Sequence, residues 1–388
     1  MSASLLDILW WAAAALSLAA CAYLLLAMWA VSALRLEAGR GWASPPRVTL
    51  LKPLCGDEDG LAAALASFLS QKTSSEINFV FGVASVDDPA LVAARLVSDK
   101  FPAAKVHFVV NPRSHGPNPK VSNLINMADS CGDLGDIVVI SDSDIVIAAG
   151  VLERSIAALA APNRGAVTAL YRAIPGQTLS ASRRYGAWFL DYGFLPMAVL
   201  HARLAPLSVT YGPLTAIRAD VLATIGGLAA LADHLSDDAE LGRLVRAAGY
   251  DIGFSPDVVE TLVNDPTWAE LFDHELRWAR TVRGLDPLGY VASLVSHVGP
   301  LPLLLLIYPS WGSVAAMLAP VLLHYLLARM VARRLGRNAA LPMPGPFALW
   351  LRDCFSFAVW ARGLVARRVG WRGQRLAMAH GDILVGAK

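Results

Sequence analysis

The stretch from Leu5 to Leu34 is apolar throughout except for Asp7. It is longer than the ~20 residues that cross a bilayer, so it demands either a lipid phase or a very large core. Hydrophobic residues make up 55% of the sequence and charged ones 16%, which favours the lipid phase. "LAAC" at Leu18 to Cys21 looks like a lipoprotein cleavage box. Two features oppose cleavage: no Lys or Arg precedes the run, and the run continues well past Cys21. Residues 1–34 are therefore expected to be a single N-terminal transmembrane anchor. Arg35, Arg40 and Arg47 follow it, and the positive-inside rule puts the next domain of this integral membrane protein in the cytoplasm.

A second apolar zone begins after Pro287. Val291 to Tyr308 and Val314 to Met330 read as two further spans, separated by "PSWGS", and Arg333, Arg334 and Arg337 mark a return to the cytoplasm. Phe347 to Ala366 is apolar too, but it carries Arg352, Asp353 and Arg362. A charge at the bilayer centre is costly, and a crossing would put Arg367, Arg368, Arg372 and Arg375 outside. This segment is expected to be interfacial or re-entrant, with an Arg352–Asp353 contact near the headgroups. Residues 287–370 are thus a C-terminal membrane region, and 371–388 a tail.

The formal charge of +2 gives no argument for nucleic acid, and no zinc-finger spacing or RNA-binding signature is present. The four cysteines, Cys21, Cys55, Cys131 and Cys354, form no CxxC pair and read as buried thiols without a disulfide framework.

Between residues 45 and 285 the pattern changes. "RVTLLKPL" (47–54), "INFVFGVAS" (77–85), "KVHFVV" (105–110) and "DIVVIS" (136–141) read as strands, and the intervening segments have helical spacing. Strands alternating with helices imply right-handed βαβ units and a mostly parallel sheet, an α/β fold. In such sheets ligands sit beyond the carboxyl ends of the strands. Asp87 and Asp88 follow the second strand, and Asp142 and Asp144 follow the fourth.

"SDSD" (141–144) interrupts an apolar, β-branched run, where unpaired carboxylates would be costly to desolvate. Alternate strand residues share a face, so Asp142 and Asp144 can point the same way. Two hard oxygen ligands suit Mg²⁺ or Mn²⁺, which commonly hold one or two carboxylates plus substrate phosphates. The same tripeptide also begins turns and caps helices. Further on, in "LADHLSDDAELGRLVRAAGY", Asp237 reads as a helix N-cap with Glu240 completing a capping box. Asp238 then lies in the first turn, favoured by the helix dipole, or faces a cleft as a general base. In "HELRWARTVR", His274, Arg277, Trp278 and Thr281 share one helical face. That face is either a basic, aromatic surface beside the membrane or a clamp for a diphosphate and a ring.

In order and spacing, "VTLLKPLCGDEDGL", "VDDPA", "GPNPKVSNLIN", "SDSD", "TAIRADVLATIGGL", "DDAELGRLVRAAGY" and "HELRWARTVR" resemble the ceramide glucosyltransferases of glycosyltransferase family 21. A bacterial branch associated with hopanoid biosynthesis shares the same pattern, and "ELRWART" resembles that branch at least as closely; the implied location is then a bacterial-type inner membrane. The resemblance covers residues 47–285 and implies a GT-A fold. It implies a membrane-bound, inverting hexosyltransferase that moves glucose or N-acetylglucosamine from a UDP-sugar to the hydroxyl of ceramide or a hopanoid. The family's motif is D, D, D, (Q/R)xxRW. Carried over, it puts Asp87 or Asp88 near the uridine and Asp142 with Asp144 on a divalent cation. It makes Asp238 the base, and it places His274, Arg277 and Trp278 on the donor. His274 departs from the motif, standing where the family has Gln or Arg. Lys120 and Asn123 of "NPKVSN" fall where the family approaches the donor. Two other readings share these residues: a processive polysaccharide synthase of the related glycosyltransferase family 2, and a non-catalytic membrane scaffold.

Overall fold

The computed structural model describes residues 4–36, 39, 41–175, 178–297 and 299–366, with the strand backbone of 368–371, 374–378 and 384–385. The first apolar run is one helix, α1 (Leu5–Ala33). A regular β–α alternation follows: β1 (Val48–Pro53), α2 (Leu61–Leu69), β2 (Ile77–Val83), α3 (Pro89–Ser98), β3 (Lys105–Val110), α4 (Pro119–Cys131) and β4 (Ile137–Ile140). The second half is less regular: β5 (Ile145–Val146), α5 (Val151–Ala158), β6 (Arg164–Pro175), α6 (Ala181–Phe189), α7 (Leu195–Leu204), β7 (Thr215–Arg218), α8 (Ala219–Thr224), α9 (Asp237–Ala247) and β8 (Asp251–Val263). A π-helical turn, Leu190–Phe194, joins α6 to α7.

These strands form one eight-stranded sheet in the order β3-β2-β1-β4-β7-β6-β8-β5. The β2/β3, β1/β2 and β1/β4 pairs are parallel, as the alternation demands. β7 runs antiparallel between β4 and β6, and β8 is parallel to β6. The carboxyl ends of β1, β4, β6 and β8 therefore share one edge. Every residue of β1 is buried. Its neighbouring leucines face opposite ways: Leu50 packs with Phe68, Leu91 and Val139 on one face, and Leu51 with Val80, Leu124 and Val138 on the other.

Local chemistry starts the helices that border this edge. Asn118 caps α4 through its side chain, accepting from Val121 N at 3.1 Å, with Pro119 in the first turn, so Lys120 stands at the helix entrance. A capping box between Thr267 and Glu270 opens α10 (Trp268–Leu285), which carries the "HELRW" motif. The capping box expected at Asp237 does not form: the N-cap of α9 is Ser236, without a side-chain cap bond. Glu240 turns instead to Arg243, at 2.6 Å, and to His234, and Asp237 is drawn away by Lys120.

Beyond α10 lie α11 (Pro287–Ala292), α12 (Trp311–Arg334) and α13 (Pro346–Val365). Among the described residues, α1 and α12 are each long and apolar enough to cross a membrane. The expected span from Val291 to Tyr308 is not a straight helix. Its segments, Pro287–Ser296 and Leu301–Ile307, are bent by 56°. The reason lies in the sequence between them: Gly299 has a positive φ, and Pro300 and Pro302 lack the N–H groups that would continue the ladder. The segment expected at Phe347 to Ala366 is the continuous helix α13; two of its charges, Arg352 and Asp353, point into the protein, while Arg362 is exposed. Arg352 pairs with Glu275 of α10 and Asp353 with His324 of α12, so the expected Arg352–Asp353 contact is replaced by two separate pairs. Adjacent helical residues project about 100° apart, which explains why they find different partners. The tail 371–388 lies partly outside the described residues. Its described pieces belong to an antiparallel sheet of β9 (Arg368–Trp371), β10 (Gln374–Met378) and β11 (Leu384–Val385).

Candidate active site

At the shared carboxyl edge the sheet and α10 enclose a cavity of about 840 Å³. β1 contributes Pro53, β4 is followed by Asp142 and Asp144, and β8 leads into Asn264 and Asp265. α4 adds Lys120 and Asn123, α9 adds Asp237 and Asp238, and α10 adds His274, Arg277, Trp278 and Thr281 along one face. The shared face expected for these last four residues is thus turned inward.

Lys120 is the hub of the acidic wall. Its Nζ lies 2.7 Å from Asp142 Oδ1 and 3.0 Å from Asp237 Oδ2. Burial opposes its charge, but Asp142, Asp237 and Asp238 outweigh burial and hold its pKa above the ordinary lysine value. Burial likewise pushes the Asp237 carboxyl up, against the attraction of Lys120. Gly212 lies between two of these acids. A Cβ there would stand 2.8 Å from Asp142 Oδ2 and 3.5 Å from Asp238 Oδ2, so the two carboxylates converge on bare backbone. Gly212 N donates to Asp238 Oδ2 at 2.9 Å, while Ser236 Oγ and Ala239 N donate to Asp238 Oδ1 at 2.7 and 2.8 Å. These bonds fix the carboxylate in place and leave lone pairs for a further donor.

Asp144 accepts from Thr261 Oγ1 at 2.8 Å. Burial and the nearby Asp142 and Glu58 raise its pKa to about 6. Beneath it lies Lys52, fully buried at the end of β1. Lys52 Nζ donates to Asp142 O at 2.6 Å and sits 4.0 Å above the Phe68 ring. Burial lowers its pKa to about 7, offset by Asp144, Asp142 and Glu58. On the opposite wall His274 Nδ1 lies 2.9 Å from Asp265 Oδ2, and its ring centroid is 4.3 Å from that of Trp278.

Asp142 and Asp144 supply hard oxygen donors. Among the described residues, no three His, Cys, Asp or Glu side chains are grouped to hold an ion by themselves. The donor set fits a cation shared with a substrate diphosphate, which needs only one or two carboxylates from the protein.

Two expected residues stand apart. Asp87 and Asp88 do not line the cavity. Asp88 caps α3, accepting from Ala90 N at 2.9 Å, and its Oδ1 also takes Gly56 N at 2.8 Å. Asn123 lines the cavity, but its amide donates to Gly82 O at 2.8 Å. Sequence reasoning missed Lys52, Glu58, Gly212, Thr261 and Asp265. Lys52 alone carried a signal, a cation in an otherwise apolar strand, which demands buried partners.

A family model described as Glycosyl transferase family 21 matches residues 11–384. The chain belongs to glycosyl transferase family 21. Among curated relatives of this family 21 chain, ceramide glucosyltransferase 3 of Caenorhabditis elegans is 23% identical over 248 residues, 61% of this chain and 51% of that protein. A ceramide glucosyltransferase of Komagataella phaffii is 33% identical over 122 residues, 30% of this chain and 23% of that protein. The chain thus spans about half the length of the first relative and less of the second. In structure it is similar to a mannosyltransferase from Pyrobaculum calidifontis, solved with GDP-mannose and Mn²⁺. The TM-score is 0.55 at 18% identity, over 93% of this chain and 99% of that one. The fold is the mixed α/β, GT-A-like sheet expected from the sequence, with apolar helices in both terminal regions.

Proposed function

We propose that the family 21 chain is a membrane-bound, inverting hexosyltransferase. It transfers glucose or N-acetylglucosamine from a UDP-sugar to the hydroxyl of a membrane lipid. Ceramide is the favoured acceptor because the curated relatives carry that name. A hopanoid is the second acceptor to test. The observation that carries the reading is the single cavity in which Asp142, Asp144, Lys120, Asp238, Arg277 and Trp278 meet.

In this reading Arg277 holds the donor's diphosphate with its fork of N–H groups, and Trp278 with His274 forms a ring platform beside it. A divalent cation, Mg²⁺ or Mn²⁺, held by Asp142, Asp144 and the diphosphate, would supply Lewis-acid neutralisation of the leaving group. Lys120 adds positive charge beside Asp142. Asp238, locked by its backbone and Ser236 donors, takes the proton of the lipid hydroxyl. The hydroxyl oxygen bonds to the anomeric carbon from the face opposite the diphosphate. The carbon–phosphate oxygen bond breaks with its electron pair going to UDP, and the configuration inverts. α1 and α12 fasten this cavity to the bilayer. With the bent pair Pro287–Ser296 and Leu301–Ile307 carrying the chain across, the arginines after α1 and α12, Arg35, Arg40 and Arg333, Arg334, favour a cytoplasmic catalytic domain.

The test is mass spectrometry of lipids from a host that expresses the chain, with ceramide or a hopanoid supplied. A lipid heavier by one hexose or N-acetylhexosamine supports the reading, and the lipid that gains it names the acceptor. A soluble polymer as product favours the processive synthase, and no product in any lipid class favours the scaffold.

A further inference from the structure

Arg352 is a charge in an apolar helix, only 2% exposed, and none of the family's motifs includes it. Its guanidinium reaches three partners. Nη2 donates to Glu275 Oε1 at 2.5 Å, Nε to Tyr185 O at 2.9 Å and Nη1 to Ser356 Oγ at 3.0 Å. Its Cζ lies 5.0 Å from the Phe189 ring centroid and 5.1 Å from that of Phe355. Glu275 adjoins His274 in α10 and is 4% exposed, so this pair is fully desolvated.

The contacts continue into the cavity. Phe189 stacks on Trp278 with centroids 6.1 Å apart and planes at 24°. Trp278 lies 4.3 Å from the His274 ring, which Asp265 holds from the other side. Arg352, Phe189, Trp278 and His274 thus form one connected stack from α13 to the catalytic wall. Glu275, on a neighbouring face of α10, ties the same helix to the same guanidinium. A buried pair of this kind adds little net stability over apolar residues, and fixing one packing is its best-attested use.

We propose that Arg352 is a positioning residue, which sets α10 so that His274, Arg277 and Trp278 face the donor and thereby couples the membrane-side helix α13 to the active site. The donor role of those residues rests on the functional reading above. The stack itself does not.

The experiment uses the full chain in lipid nanodiscs. Arg352→Met alone strands Glu275 in a buried site, so it is paired with Arg352→Met/Glu275→Gln, which removes both charges and keeps the shape. Diethyl pyrocarbonate labelling of each histidine is mapped by mass spectrometry, with the exposed His107 and His201 as references. UDP affinity and turnover are measured on the same samples. The proposal expects labelling of His274, whose side chain is 33% exposed, to rise in the paired variant above its level in the unsubstituted chain while His107 and His201 react as before. It also expects turnover about 10²-fold lower, as displacement of positioned groups by ~1 Å can cause. Unchanged His274 labelling in a folded paired variant overturns it, as does a paired variant that turns over normally. If the unsubstituted chain neither binds UDP nor turns over, the functional reading fails. The His274 labelling then still decides the positioning claim.

Discussion

Replacing Lys120 by Met tests whether the acidic wall is organised around one cation. The substitution keeps most of the aliphatic stem and removes the charge. In the structure that charge lies 2.7 Å from Asp142 and 3.0 Å from Asp237, with Asp238 close enough to contribute. At an effective dielectric near 20, each close pair is on the order of 4 kcal/mol of attraction before desolvation. Breaking a fully buried pair by removing one partner costs about 3–5 kcal/mol. These side chains are half-buried, and water screens part of the loss, so about 1–3 kcal/mol is expected. For a domain of this size that corresponds to a fall in Tm of roughly 2–12 °C. The cost should depend on pH. Burial and the neighbouring acids already raise the Asp237 carboxyl in the folded chain, and Lys120 is what pulls it down. Without Lys120 that pKa rises further above its unfolded value, so the folded variant binds more protons than the unfolded one over the acidic range. Its stability therefore recovers as pH falls, and the gap to the unsubstituted chain is widest at alkaline pH. The assay is thermal melting of the full chain in detergent between pH 5 and 8.5, with Lys120→Met/Asp237→Asn as the rescue. The paired variant should regain a large part of the loss. A small, pH-independent change in Lys120→Met, with no rescue by Asp237→Asn, would refute the reasoning.

Three other outcomes follow from the same geometry. Asp238→Asn should keep UDP-sugar affinity and lose about 10²–10⁴-fold in turnover, while Asp237→Asn loses less; equal losses would make the base assignment untenable. Asp142→Asn or Asp144→Asn should each cost about 2–4 kcal/mol of transition-state stabilisation, and chelator should abolish turnover in the unsubstituted chain; indifference to all three removes the cation from the account. Asp191, buried in the π-helical turn, has its pKa raised to about 7 chiefly by burial, against the Ala173 N–H bond. Its folded pKa exceeds the unfolded value of about 4, so it destabilises the chain as pH climbs from about 4 to 7, and Asp191→Asn should flatten the melting profile over that window.

The first half of the sheet was legible because its signals are local. β1 to β4 are short apolar runs, and the helices between them show helical spacing and caps such as Asn118. β6 and β8 were not legible. They run through Arg172 and Glu260, which pair with each other across the sheet, and Asp257, which pairs with Arg154 of α5, and their pairing contains two register shifts. The D-x-D, Lys120, Asp238 and the His274 face could be picked out because each lies in a distinctive local string. What joins them is long-range: Lys52 under Asp142, 90 residues apart, and Arg352 with Glu275, 77 residues apart. Asp88 shows the converse, since a carboxylate at a strand end was equally a helix cap, and the cap is what the structure contains.

The central claim is that one cavity couples loss of UDP from a sugar donor to growth of a membrane lipid. The most direct measurement takes the purified chain in nanodiscs with ceramide, UDP-glucose and Mn²⁺, and follows UDP release and lipid mass in the same reaction. The account predicts equal amounts of UDP and of ceramide carrying a single hexose, both lost in Asp238→Asn. UDP released without a heavier lipid, or a glycosylated lipid formed equally well by Asp238→Asn, would contradict it.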